Sequence, residues 1–151
     1  MVEDVESVGQ RGVRSHGLLA WLRLLAVFQK VDQLSAEHLR AWDLSVAQFD
    51  VLAQVGSAEG CTQGDLAKAL RVTKGNVCQL LDRMERDGLL RRQQEGRANR
   101  LFLTERGRRL HDQVVPAHEA LINRLFSTIT RDKQILLLGV LRTLDRSLSQ
   151  S

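Results

Sequence analysis

The chain has 151 residues and a mass of 17.0 kDa, with 43% apolar and 26% charged residues, which excludes both a disordered chain and a multidomain enzyme. Its formal charge is +4, yet the segment from Arg71 to Arg109 holds eleven basic residues against five acids and is +6 on its own, leaving about −2 for the rest. Half of all the Lys and Arg crowd into that one segment, which is the footprint of a surface that binds a polyanion.

No apolar run approaches the roughly 18 to 20 residues of a membrane span. The N-terminal MVEDVESVGQ is acidic rather than signal-like, so a cytoplasmic protein with no membrane partner is expected. Cys61 and Cys78 are too few and too widely spaced for a metal knuckle or a CxxC motif, and are expected as free thiols. The sequence has no glycine-rich phosphate loop, no H-E-x-x-H, no G-x-S-x-G and no supported carboxylate pair. No enzymatic activity, cofactor or metal is therefore expected.

In chain order, residues 1–14 read as a flexible tail. Ser15 can cap a long helix reaching Trp42, along which Leu18, Leu22 and Leu25 form a stripe widened by Leu19, Ala26 and Val27. Val31, Leu34 and Leu39 continue it, and so broad a stripe needs more partner surface than one small domain offers. Asp43-Leu44-Ser45 breaks the helix. Ser45 and Gln48 then form a capping box opening a helix that bears Val46, Phe49, Leu52, Ala53 and Val55, and that ends in the turn-rich Gly56 to Gly60.

Thr62 to Asp87 is the centre of the pattern. Thr62, with Asp65 three residues on, caps a first short helix, and Thr73 caps a second. Leu66, Leu70, Val72, Val77 and Leu80 point inward, and the small Ala67 falls ten residues before Val77, where two helix backbones must approach. Those offsets are the helix-turn-helix pattern, with Arg71 in place of the usual turn glycine. With Val77, Leu80, Leu81 and Met84 inside, the outward face carries Thr73, Lys74, Gly75, Cys78, Gln79 and Asp82, with Asn76 at its edge. Asn and Gln can form paired hydrogen bonds to adenine, Lys can reach guanine or phosphate, and Gly permits close backbone approach.

Gly88 stops the second helix. Leu89 to Gln93 and Arg100 to Thr104 alternate apolar and polar residues about a tip at 94–99, a hairpin whose Arg97 suits a narrow minor groove. Thr104 caps a further helix to about Ile129, with a kink expected near 112–116 from Pro116. A last helix follows Thr130 and is apolar nearly all round. Both ends of the chain thus carry surplus apolar helix, and a two-fold dimer would bury it. The fold expected is mainly α with a small β-hairpin wing. It comprises an N-terminal dimerisation helix (15–42), a winged helix-turn-helix domain that binds DNA (43–104) and C-terminal dimerisation helices (105–151).

The stretches TQGDLAKAL, VTKGNVCQLLDRMERDGLLRR and EGRANRLFLTERG, in that order and spacing, resemble the MarR family of bacterial winged-helix regulators, and the resemblance spans about residues 16 to 149. It implies a homodimeric transcriptional regulator, in most relatives a repressor, on a pseudo-palindromic operator in double-stranded DNA. It also implies release by a small aromatic or phenolic effector held between the dimer helices and the winged domain. Thr62 or Gln63 would contact phosphate. Thr73, Lys74, Gly75, Asn76 and Gln79 would meet the major groove with Arg83 beside them, and Arg97 the minor groove. The family's common Asp-x-Arg at the wing is here Glu95-Gly96-Arg97. His16, Trp21, Phe28, Trp42 and Phe49 could line an effector crevice, although aromatics at helical spacing equally serve as core. Two rival sensors also present themselves. One is oxidation of Cys78 on the outward helix face, which would block the groove. The other is a metal at His111 and His118, whose spacing of seven is long for one ion.

Overall fold

A computed structural model describes residues 14–70 and 74–150. Arg71, Val72 and Thr73, expected in the turn and at the second cap, lie outside the described residues, as do residues 1–13 and the side chain of Lys74. The described elements are helix α1 (His16–Leu39), a 3-10 turn (Arg40–Trp42), α2 (Val46–Ser57), α3 (Gln63–Leu70), α4 (Lys74–Arg86), strands β1 (Leu90–Glu95) and β2 (Ala98–Leu103), α5 (Glu105–Phe126) and α6 (Arg131–Ser149). The fold is mainly α with one antiparallel hairpin, a winged helix-turn-helix flanked by long helices.

The chain divides into two units, residues 1–34 and 35–151. The first is α1 up to Leu34, begun by Ser15, whose hydroxyl accepts from the Leu18 N–H at 3.1 Å. Its apolar side chains stay largely in solvent, Trp21 at 56% and Phe28 at 63% exposure.

The second unit holds the core. Leu39, Val51, Leu52, Val55, Leu66, Val77, Leu81, Met84, Leu90, Leu101 and Val114 are essentially inaccessible, so the last turn of α1, α2 to α5 and both strands share one interior. Each such side chain stabilises the fold by about 1.5–3 kcal/mol relative to exposure. Local signals set the helix starts. Ser45 and Gln48 exchange both capping-box bonds (3.1 and 2.9 Å), and so do Thr62 and Asp65 (3.1 and 3.2 Å). The Thr62 N–H, with its hydroxyl, holds the Asp65 carboxyl below its usual range. Gly88, at φ 73°, ends α4, and the Leu89 N–H returns to the Met84 carbonyl at 3.0 Å.

The hairpin differs from the expected one. Instead of six tip residues, only Gly96 and Arg97 are left between strands that pair from Leu90↔Leu103 to Glu95↔Ala98. Gly96 supplies the positive φ (61°) that a two-residue connection asks of its first residue. Residues 60–62 also extend the sheet: Gly60 N–H donates to Leu101 O (2.8 Å), Leu101 N–H to Cys61 O (2.9 Å), and Thr62 bridges Arg100. The start of α3 is thereby tied to the wing.

Thr104 caps α5 through the Gly107 N–H (3.0 Å), and its own hydroxyl donates to Gly88 O (2.6 Å). Gly107 admits no side chain, since a Cβ there would sit 1.8 Å from Leu89 O. The helix runs through Pro116 and stops at Phe126, three residues short of expectation, because the chain turns through Ser127 to Ile129 into the next cap, Thr130. Helix α6 buries none of its residues, and Leu136 (67% exposed) and Leu148 (65%) stand in solvent. No helix among the described residues is long and apolar enough to cross a membrane.

Candidate nucleic-acid interface

Helix α4 is sorted by its 100° steps. Val77, Leu81 and Met84 go under, at 1% exposure or less, while Gly75, Asn76, Cys78 and Gln79 are exposed. A Cβ added to Gly75 would meet nothing within 4 Å, so the first turn has an open flank on which another backbone can lie close. Arg83 is also exposed, but on the flank of α4 that faces the start of α2, where it shares a cleft with Leu44 and Gln48. Asp82 and Glu85 lie on the opposite flank with Cys78, turned toward β1, where Arg92 pairs with both. Asp82, expected on the outward face, is therefore engaged by the wing strand.

A second cleft opens between α3, α4 and the hairpin, lined by Thr62, Gln63, Gly64, Val77, Arg97, Ala98 and Asn99. It brings the expected contacts Thr62 and Gln63 together with Arg97, which lies more than thirty residues further along the chain. Asn99 Nδ2 donates to Gln63 Oε1 at 3.3 Å, which leaves the NH2 group of Gln63 as a donor for an acceptor such as phosphate. At the tip, Glu95 pairs with Arg100, whose Nη1 also reaches Gly60 O at 2.8 Å. The Glu-x-Arg carboxylate thus serves Arg100 rather than Arg97. Arg97 is left exposed, with no ion-pair partner among the described residues. Asn99, Arg100 and Arg92 are the residues sequence reasoning did not single out. Their partners lie 5 to 40 residues away and leave no periodic mark.

Of the proposed crevice residues, His16, Trp21 and Phe28 lie in the first unit and are exposed. In the second unit, Phe49 is buried with its ring 4.3 Å from that of His118, and Trp42 lies 5.1 Å from the His38 ring. Trp42 also borders a cleft of about 650 Å³ with Arg83, Arg86, Arg106 and Arg109. His118 Nε2 is 3.1 Å from Ser35 Oγ, whereas His111 holds Asp112 (2.9 Å) and lies against Gly56, so the two histidines are engaged at separate places. Among the described residues no group of three His, Cys, Asp or Glu could hold a metal ion. Cys61 is half-buried, and that burial, with Asp65 beside it, pushes its thiol up; Cys78 is exposed.

Comparison with known proteins gives three findings. The profile of the MarR family matches residues 42–100, the span from Trp42 through the helix-turn-helix to β2. An uncharacterized HTH-type transcriptional regulator of Bacillus cereus is 34% identical over 127 residues, 84% of this chain and 86% of that one. Among solved structures, AbsC, a MarR family transcriptional regulator from Streptomyces coelicolor, superposes with a TM-score of 0.84 at 23% identity, covering 92% of this chain and 98% of its own. Streptococcus pneumoniae FabT, solved in complex with DNA, superposes at 0.75 and 24%, covering 88% and 97%. At those identities the two structures speak to the fold.

Proposed function

The chain belongs to the MarR family of DNA-binding transcriptional regulators, and from that premise we propose that it is a sequence-specific repressor acting as a homodimer on a pseudo-palindromic operator. The observation that carries this reading is the cleft that brings Gln63 and Arg97 together beside Val77 of α4, the helix on which Asn76 and Gln79 are exposed, with Arg97 lacking an ion-pair partner among the described residues. A helix face offering Asn76 and Gln79 suits base edges in a major groove, and a guanidinium on a two-residue tip suits the adjacent minor groove. Support for the dimer comes from the apolar side chains left uncovered on α1 and on α6. In this reading residues 15–42 and 105–151 join two copies, and residues 43–104 bind DNA.

The effector in this reading is a small aromatic compound. A second reading is favoured by the exposed thiol of Cys78 beside Gln79, where oxidation or a bulky adduct would obstruct the groove. In that case peroxide abolishes DNA binding by the parent and spares Cys78→Ser, whereas equal loss in both removes the thiol reading.

The test of the main reading is selection of bound duplexes from a random DNA pool by the full chain. Enrichment of two inverted half-sites with centres about 10 bp apart is the expected result. A pool that yields single half-sites, or no enriched sequence, would contradict it.

A further inference from the structure

Arg92 is placed where the reading helix and the wing meet. Its side chain is 19% exposed, and its Nη2 contacts Asp82 Oδ1 together with Glu85 Oε1, the latter at 3.1 Å. The other oxygen of Glu85 accepts from the Arg92 main-chain N–H, also at 3.1 Å, so one carboxylate holds both the guanidinium and the backbone of β1. Asp82 and Glu85 are three residues apart on α4, and Asp82 follows Gln79 by three, so the pair lies within a turn or two of the base-reading residues.

Both carboxylates are substantially open to solvent, Asp82 at 51% and Glu85 at 41%. Without a partner they would present two negative charges to a groove walled by phosphates, where like charge opposes binding. The hydrogen bond from Arg92 also holds the Glu85 carboxyl below its usual range, and Glu85, followed by Asp82, pushes the guanidinium upward.

We infer that Arg92 is a positioning residue for DNA binding that acts through Asp82 and Glu85: it draws both carboxylates against β1 and halves their net charge, so that α4 can approach the groove. This rests on the groove reading of α4. It assigns a role in recognition to a residue that need not touch DNA.

The experiment measures affinity of the full chain for the duplex selected by the parent, at about 50 and 200 mM salt. The proteins are the parent, Arg92→Gln, the double variant D82N/E85Q and the triple variant D82N/E85Q/R92Q. Masking predicts that Arg92→Gln binds about tenfold more weakly or worse, that the triple variant recovers to within about threefold of the parent, and that D82N/E85Q binds at least as tightly as the parent. A brace whose contribution is only to stability predicts instead that the double and triple variants are as poor as Arg92→Gln, and that result overturns the inference. Should Arg92→Gln not fold, D82N/E85Q decides alone, a loss of about tenfold being fatal. A parent protein that selects no duplex would be a separate failure, of the groove reading itself.

Discussion

Gln79 and Arg97 illustrate how two exposed side chains on one surface can carry different information. Gln79 is exposed on α4, and in the proposed reading its partner would be a base edge; Arg97 is exposed on a narrow tip with no ion-pair partner among the described residues, and its partner would be the backbone or the field of a minor groove. Gln79→Ala should therefore relax base preference at one position in each half-site, worth about 1–3 kcal/mol there and little elsewhere. Arg97→Ala should weaken all sequences alike and lower the salt slope by about 1. Titrating both variants against singly substituted operators at several salt concentrations separates the two effects. Equal loss on every sequence for both would show that the residues do not divide the task this way.

Helix α5 meets the last turn of α1 and the face of α2 through His118, which is bonded to Ser35 and packs its ring at a tilt against that of Phe49. Burial pushes the His118 ring down from its ordinary pKa, and the nearby His38 adds to this, so the folded state prefers the neutral ring. For a histidine depressed by folding, the stabilisation is fully present above the unfolded value of about 6.5 and is lost as pH falls through the lower folded value. Denaturant midpoints of the parent should therefore drop between about pH 7.5 and pH 5 by more than those of His118→Gln. Parallel curves would mean that the ring keeps its solution behaviour. Such contacts also mark what sequence reading could and could not reach. The Ser45 and Thr62 boxes, the Gly88 stop and the inward set on α4 were legible because a cap spans three residues and a helix face repeats every turn. The Ser35–His118 bond spans 83 residues and Asn99–Gln63 spans 36, so no local pattern announces them. The wing was read with too long a tip because Gln94 and Asn99 look like turn residues, whereas in the fold they face each other as strand partners.

At the scale of the molecule, a 17.0 kDa chain carries one reader, whereas a pseudo-palindromic operator would need two. Its own second unit covers the core fully, yet α6 buries nothing, and the apolar residues of α1 before Leu34 are equally uncovered. Soluble monomers rarely leave so much apolar surface in water, and a second copy related by a two-fold axis would bury both faces and set two readers on one side of a duplex. The most direct measurement is native mass spectrometry of the full chain on the selected duplex, paired with affinity for the same duplex with one half-site scrambled. Two chains per duplex and a loss of about 100-fold or more on scrambling are the predicted result. One chain per duplex, or undiminished binding to the half-site alone, would contradict it.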